Sequence, residues 1–245
     1  MPRLESRFDS LEFLIRVGNN LGKWIAMYGM INQAILEFLC EEYGTERSDA
    51  VRARAACEEK NFASMQQYPD EVSYALIGAA SEILGEPADV ILDKVGEYWV
   101  GFALRSDYAD LLWMAGRTLP EVLQNLDHLH TRIGQSFEEM EPPSFWCDDI
   151  TEGSLVLYYA SERAGLGPMV IGLVRGLGRM LGYETKTEPV ATESEESMKF
   201  LVQFVESQEV QGFPNDRSTA PEEAGRPVKA GESIRDRGTG LHTRS

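Results

Sequence analysis

The hydrophobic pattern of this chain changes its period once, and that change limits the fold more than any other sequence feature. Over most of the stretch 27–137, apolar residues recur every three or four positions, as on one face of a helix. Apolar and polar residues then alternate, as in strands, in 154–163, 183–192 and 197–206, and a glycine-rich helical segment lies at 167–182. Helices followed by strands predict an α+β domain, in which a mostly helical N-terminal part precedes an antiparallel sheet.

The two ends of the chain are set apart from this middle part. We expect residues 1–26, which include the amphipathic stretch FDSLEFLIRV, to be an N-terminal extension or the result of a misassigned start, because Met27 offers an alternative start. Residues 207–245 are rich in proline, glycine and charge, which predicts a disordered tail. The folded domain should therefore span 27–206.

The charge of the chain narrows its class of partners. Its 245 residues carry a net charge of −17, which is unfavourable for wrapping nucleic acid or for binding an anionic membrane surface. No apolar run approaches the ~20 residues of a membrane span, and no secretory signal is visible. The three cysteines, Cys40, Cys57 and Cys147, form no C-x-x-C pair, which indicates a reducing compartment. We therefore expect a cytoplasmic protein with no nucleic-acid or membrane partner.

One histidine occupies an apolar position in the predicted helix 118–137. Thr118 and Glu121 form a capping box at the start of that helix. His130 falls on the apolar face, whereas His128 lies on the polar face. Apolar surroundings keep an imidazole neutral, as a metal ion requires, although a core histidine bonded to a carbonyl is the competing interpretation. No second ligand stands at the spacing of a zinc site, but a heme needs only one protein ligand.

Three different hydrogen-bond donors alternate near the end of the predicted strand 154–163. Tyr159, Ser161 and Arg163 would point to one face of that strand, which an ordinary apolar-in, polar-out strand does not need. Such donors suit a buried or half-buried carboxylate, for example a propionate of heme. The competing interpretation is an exposed strand with unrelated polar residues.

Four short segments have counterparts in one known family. MYGMINQAI is similar to that family's N-terminus, and LQNLDHLH is similar to the segment that bears its proximal histidine, here His130. PPSFWC places Pro143 thirteen residues later, as in the pattern H-x12-P, and YYASER carries the motif Y-x-S-x-R at 159–163. Over 27–206 the chain resembles the H-NOX family, the heme–nitric oxide/oxygen binding domains of bacterial gas sensors and of soluble guanylate cyclase.

The resemblance implies an H-NOX fold, with the helices and the antiparallel sheet packed around one heme b per chain. His130 would be the iron ligand, and Tyr159, Ser161 and Arg163 would hold the propionates. Pro143 would press on the porphyrin and keep it distorted. NO would weaken or break the bond between His130 and iron, after which the two halves of the domain would shift.

The residues expected on the open side of the iron decide which gas binds. In the family's O2-binding members a distal Tyr lies on the helix after Y-x-S-x-R. The resemblance places Met169 at that point here and implies that Ile31 and Ile35 line the same side, so that NO and CO bind and little or no stable O2 complex forms. Trp99 opposes this expectation, because its indole N–H can donate a hydrogen bond, although a packed core aromatic is the simpler interpretation.

We therefore expect a stand-alone NO sensor that regulates a separate protein, which in bacterial relatives of this size is a histidine kinase or a cyclic-di-GMP enzyme. One alternative is an O2-binding or redox heme protein, and another is a heme-free domain that binds a different carboxylate ligand. We expect no enzyme activity, since no recognisable catalytic motif stands in the sequence. Cys40 is expected in the core and Cys147 as a structural thiol, with a redox role as the alternative.

Overall fold

The computed structural model describes residues 26–106, 109–136, 142–192 and 197–207. The expected N-terminal extension, apart from its last residue, and the expected tail beyond Ser207 lie outside the described residues. Everything below concerns the described residues.

The N-terminal part is mostly helical, as the period of its hydrophobic pattern predicts. Its elements are β1 (Ala26–Tyr28), α1 (Gly29–Tyr43), α2 (Thr45–Arg54), β2 (Gln67–Pro69), α3 (Asp70–Leu84), α4 (Ala88–Arg105), α5 (Ala109–Ala115) and α6 (Leu119–Ser136). The strands β1 and β2 pair with each other in antiparallel orientation, with Met27 opposite Tyr68. None of the described helices combines the length and the apolar character that crossing a bilayer would need.

The C-terminal part is an antiparallel sheet with one helix between its strands. Its elements are β3 (Ser144–Asp148), β4 (Ser154–Ala160), α7 (Gly167–Leu181), β5 (Tyr183–Val190) and β6 (Ser197–Glu206). The spatial order is β3-β4-β6-β5, and every neighbouring pair is antiparallel. The α+β prediction is confirmed, including the pairing of β5 with β6.

One strand was not predicted, and one predicted strand is shorter than expected. The segment after α6 contains β3, an edge strand that Pro142 and Pro143 precede rather than interrupt. The strand predicted over 154–163 ends at Ala160, so Ser161 and Arg163 lie in a turn. In that turn the Arg163 N–H donates to Ser161 Oγ at 3.1 Å, and Gly165 adopts a positive φ of 78°, both of which favour a turn over a continued strand.

The buried apolar residues form two clusters. One lies between the inner face of the sheet and helices α4 to α7, and its largest fully buried side chain is Phe200. The other lies among α1 to α4 and includes Leu39 and Leu76. Leu166, just before α7, packs against both clusters, so the two halves of the domain meet near the start of α7.

Helices α4 and α7 pack with almost no space between their backbones. A Cβ on Gly172 would lie 1.8 Å from the Asp93 carbonyl oxygen, and one on Gly96 would lie 2.1 Å from the Met169 carbonyl oxygen. Only glycine fits at these two crossings. Arg175 of α7 adds an ion pair to Asp93 beside the crossing. The two helices therefore present their cavity-facing residues as one packed unit.

The cysteines are all free, and one of them is not where the sequence predicts. Cys40 is exposed, so the expectation that it lies in the core is wrong. Helix α1 buries Phe38 and Leu39, whereas Cys40 lies on the opposite side with its Sγ 3.4 Å from Thr45 Oγ1. Cys147 is half-buried, and this burial raises the pKa of its thiol to about 11, which favours the unreactive protonated form at neutral pH.

Candidate functional site

A cavity of about 240 Å³ is lined by both the helices and the sheet. Eight of the predicted site residues line it: Ile31, Trp99, His130, Pro143, Tyr159, Ser161, Arg163 and Met169. Ile35, the ninth, is instead buried in the helical core cluster. A smaller cavity of about 100 Å³ shares Trp99, His130 and Phe145 with the first. The structure thus brings together residues that are more than 130 positions apart in sequence.

His130 reaches the cavity because of where its helix begins. The predicted capping box is present: the Glu121 N–H donates to Thr118 Oγ1 at 3.4 Å, and Glu121 Oε2 accepts from the Thr118 N–H at 3.2 Å. Leu119 and Leu123 are fully buried on the face that His130 shares. The cap fixes the helix start, and the buried leucines fix its rotation, so His130 is directed at the cavity.

The surroundings of His130 keep its imidazole neutral. Burial lowers the pKa of this histidine, while the nearby Pro143 carbonyl and the Asp127 carboxylate act in the opposite direction. Its Nδ1 atom is buried and has no hydrogen-bond partner of normal geometry among the described residues. Because Nδ1 is shielded from the cavity and interacts with the Pro143 carbonyl, Nε2 is the nitrogen that remains for a group bound in the cavity.

A second link joins the histidine helix to the sheet. The Phe145 N–H of β3 donates to Asp127 Oδ1 of α6 at 3.3 Å. The Phe145 ring lies 5.6 Å from the His130 ring and 5.1 Å from the Tyr159 ring, measured between centroids. Sequence reasoning missed Asp127 and Phe145, although Asp127 stands one helical turn before His130 and could have been found from that spacing.

The three predicted donors line the same cavity as His130. Tyr159 is buried on the inner face of β4, and burial raises the pKa of its hydroxyl, which therefore remains protonated. Ser161 and Arg163 reach the cavity from the turn that follows β4. The three side chains line one cavity, but only Tyr159 lies in a strand, so the predicted strand is too long.

Asp70 holds Arg163 at the cavity wall, and sequence reasoning missed it. Arg163 Nε donates to Asp70 Oδ2 at 2.8 Å, and the two side chains are only 9% and 11% exposed. Burial raises the pKa of Asp70, while the Arg163 guanidinium opposes this shift. The turn is held further by the Tyr74 hydroxyl, which donates to the Ala164 carbonyl at 3.0 Å. Asp70 begins a helix, where an acidic residue is expected anyway, so its sequence position carried no special signal.

The remaining wall is mainly apolar but contains one indole. Ile31 and Met169 line it as the resemblance implies. Trp99 lines both cavities and stacks on Phe102, with ring centroids 5.5 Å apart and 25° between the planes. Tyr28 also lines the cavity, and its hydroxyl accepts a hydrogen bond from Gln67 Nε2 at 3.5 Å. The wall is thus poor in polar groups, with Trp99 and Tyr28 as its donors.

These residues fit an iron porphyrin. The neutral imidazole of His130, which lines the cavity, supplies a single metal ligand, and one suffices for heme iron. Tyr159, Ser161 and Arg163 supply donors for two carboxylates in the same, mainly apolar cavity. Among the described residues there is no group of His, Cys, Asp and Glu that would hold a bare metal ion.

Comparison with known proteins agrees with this fit. The family model described as Haem-NO-binding matches residues 28–188. Among curated relatives, soluble guanylate cyclases gcy-31 and gcy-33 of Caenorhabditis elegans are 29% and 30% identical, each over 63% of this chain. The soluble guanylate cyclase beta-2 subunit of Rattus norvegicus is 29% identical over 56% of this chain. The chain spans only 22%, 16% and 21% of these relatives, respectively.

Solved structures share the fold. The Fe(II) unliganded H-NOX protein from K. algicida aligns with 76% of this chain and all of its own length, at a TM-score of 0.64 and 20% identity. A Cs H-NOX mutant with 4-cyano-L-phenylalanine aligns with 74% of this chain and 98% of its own, at a TM-score of 0.65 and 20% identity. H-NOX domains bind heme, sense gases and signal to cyclase or kinase domains, and the enzyme activity of the cyclases lies in other domains. By its matched residues 28–188 and by its fold, this chain belongs to the H-NOX family of heme-based gas sensors.

Proposed function

We propose that this chain binds NO and CO through one heme b held by His130 and passes the signal to a separate protein. The observation that carries the proposal is the imidazole of His130, which is kept neutral by burial and lines the same cavity as the donors Tyr159, Ser161 and Arg163. The three free cysteines suit a reducing compartment, and we propose the cytoplasm.

Three donors that line the same cavity would bind the two carboxylates of the cofactor. Tyr159 and Ser161 offer hydroxyls, and Arg163 offers a guanidinium whose Nε is held by Asp70. Charge-assisted hydrogen bonds from a fixed guanidinium are stronger than neutral ones. Asp70 would therefore act as a positioning residue, because it sets the direction of the Arg163 side chain without lining the cavity itself.

The apolar wall would select the gas. A bound ferrous heme supplies an open iron position for a diatomic gas. O2 gains most from a hydroxyl or N–H donor beside it, whereas NO and CO need none. Ile31 and Met169 provide no such donor, which supports a preference for NO and CO.

Trp99 supports O2 binding as a second candidate function. Trp99 lines both cavities, and its indole N–H makes no hydrogen bond to the described residues, so this donor could serve a ligand. Its ring is held by the stack on Phe102, which limits how far the N–H can turn.

Signalling would start at the contacts of His130. Helix α6 is tied to β3 by the Asp127–Phe145 hydrogen bond, and the Phe145 ring packs on His130, so a displacement of His130 would move the edge of the sheet. Pro142 and Pro143 stiffen the chain just before β3, so bending of that segment would not take up the displacement of His130. A ligand can shift the two conformations only by its difference in affinity for them. We propose a cyclase, a histidine kinase or a cyclic-di-GMP enzyme as the receiver.

Absorption spectra test both candidates at once. Anaerobic ferrous protein is recorded alone, with NO, with CO and in air, for the wild type, His130→Ala and Trp99→Phe. We expect the wild-type Soret band to shift with NO and CO and to show no stable O2 form in air. His130→Ala should lose this ferrous spectrum, and Trp99→Phe should keep it. A stable O2 spectrum that disappears in Trp99→Phe would establish the second candidate instead, and a protein that takes up no heme would contradict both.

A further inference from the structure

The outer face of the sheet carries an exposed aromatic pair directly behind the cavity. Trp146 of β3 lies opposite Tyr158 of β4, and their rings are parallel, with centroids 5.0 Å apart and 4° between the planes. Lys199 of β6 is opposite Tyr158, and its Nζ lies 5.3 Å from the centre of the Tyr158 ring. Trp146 is 44% exposed, and tryptophan and tyrosine are enriched at the centres of protein interfaces.

This pair is the outer counterpart of the aromatic contacts inside the cavity. Phe145 and Tyr159 also lie opposite each other on β3 and β4, but they face inward, and Phe145 packs on His130. Trp146 follows Phe145 and Tyr158 precedes Tyr159, so one strand thickness separates the two pairs. Any movement of Phe145 relative to Tyr159 must therefore change how Trp146 sits on Tyr158.

Acidic residues border this apolar centre. The neighbouring row of the same face runs from Asp148 through Val156 and Leu201 to Glu188, so that carboxylates stand at both ends of two apolar residues. Further exposed carboxylates lie at the β3–β4 turn and along β5: Asp149, Glu152 and Glu184. Glu188 pairs with Lys186 at 2.9 Å, an exposed contact that water and salt weaken. Val156 itself is buried, whereas Tyr158 and Leu201 are half-buried and Trp146 is exposed. We call Trp146, Tyr158 and Leu201, with these carboxylates around them, the aromatic surface.

We propose that the aromatic surface docks a partner protein that presents an apolar centre surrounded by lysine and arginine side chains. Tryptophan and tyrosine at the centre of a patch, with charges at its rim, are the usual composition of binding hot spots. The acidic rim selects a basic partner, and the net charge of −17 disfavours a second copy of this chain. This inference rests on the proposed function, because it names the surface through which the sensor would meet its receiver.

A synthetic peptide probe tests the surface without knowledge of the natural partner. A fluorescent, amphipathic Lys/Leu helical peptide is titrated with the heme-loaded full chain, and a Glu/Leu peptide of the same length controls for charge. The variants are Trp146→Thr, which suits an exposed strand position, and the isosteric pair Asp148→Asn with Glu188→Gln. Met114→Thr is the matched control, because Met114 is 61% exposed on α5 and lies outside the aromatic surface.

We expect the Lys/Leu peptide to bind the wild type and Met114→Thr equally and to bind Trp146→Thr about tenfold more weakly. The isosteric charge variant should also bind more weakly, and the Glu/Leu peptide should not bind. Equal binding to Trp146→Thr, or an equal loss in Met114→Thr, would overturn the proposal, as would a Trp146-dependent dimer in light scattering. NO spectra of the same samples distinguish a failure of the docking surface from a failure of the proposed function. A normal NO spectrum together with peptide binding that is unchanged in Trp146→Thr would contradict only the docking surface. Failure of the wild type to take up heme would contradict the proposed function.

Discussion

Among single residues, the contact between Asp70 and Arg163 offers the sharpest test of how the site is held. Asp70→Ala removes the carboxylate from a nearly buried guanidinium, and breaking a buried pair in this way costs about 3 kcal/mol of the free energy of unfolding. Asp70→Asn should cost only about 1 kcal/mol, because its amide oxygen still accepts the Arg163 Nε–H. Burial, which raises the pKa of Asp70, also shows that the folded protein tolerates the uncharged form. Urea unfolding of the heme-free protein measures both changes.

The same carboxyl gives the stability a defined dependence on pH. Because the pKa of Asp70 is raised in the folded protein, its carboxyl stabilises the fold most at pH values below its pKa in the unfolded chain. This contribution to the free energy of unfolding falls as the pH rises through its pKa in the folded protein. Asp70→Asn should lack that component. Equal losses for Ala and Asn, or a pH profile of Asp70→Asn identical to that of the wild type, would show that Arg163 does not depend on this contact.

Site residues that a pattern within one element marks could be predicted from the sequence. Site residues whose role depends on a partner far away in the chain could not. His130 stands out because a histidine in a leucine stripe is visible within one helix. Asp70 could not be found, because its partner Arg163 is 93 residues away and nothing in its own helix start distinguishes it from an ordinary first-turn acid. Ile35 shares its side of α1 with Ile31, but it lies one turn further along the helix and is buried in the helical core cluster rather than at the cavity.

At the scale of elements, the crossing of α4 and α7 should not tolerate a methyl group. Gly172→Ala places a Cβ 1.8 Å from the Asp93 carbonyl oxygen, so the helices must separate, and we expect a loss of about 3 kcal/mol in urea unfolding. Gly134→Ala in α6 is the matched control, because no atom lies within 4 Å of its added Cβ. That change should stabilise the protein by about 0.5 kcal/mol through helix propensity. If both substitutions have the same effect, the close crossing is not a determinant of stability.

The elements themselves were largely predictable, with one informative exception. Helices α1, α3, α4 and α6 follow from period and capping alone, and the β5–β6 pair follows from alternation around a polar linker. The sequence does not predict β3, because Pro142 and Pro143 come directly before it and proline is disfavoured in paired strands. Its strand character comes from pairing with β4 and from the contact of Phe145 with α6, which are both tertiary.

At the scale of the whole molecule, the account depends on a cavity that no local pattern encodes. The order of helical and strand patterns was sufficient for the α+β class, but the cavity arises where two core clusters meet and draws its lining from α1, α4, α6, α7 and the sheet. Only the joint spacing of His130, Pro143 and the Y-x-S-x-R motif pointed to it in advance. Trp99 and Met169, the wall residues invoked in the proposed gas preference, belong to α4 and α7, the two closely packed helices.

Heme uptake by a histidine-free cavity tests the central claim most directly. Wild type, His130→Gly, and His130→Gly with added imidazole are reconstituted with heme, reduced without oxygen, and compared by absorption spectrum and by heme content per chain. The account predicts one heme per chain in the wild type, a changed and weakened complex in His130→Gly, and recovery of the wild-type ferrous spectrum when imidazole fills the vacated position. A His130→Gly protein that keeps the wild-type heme content and ferrous spectrum without imidazole would contradict the account.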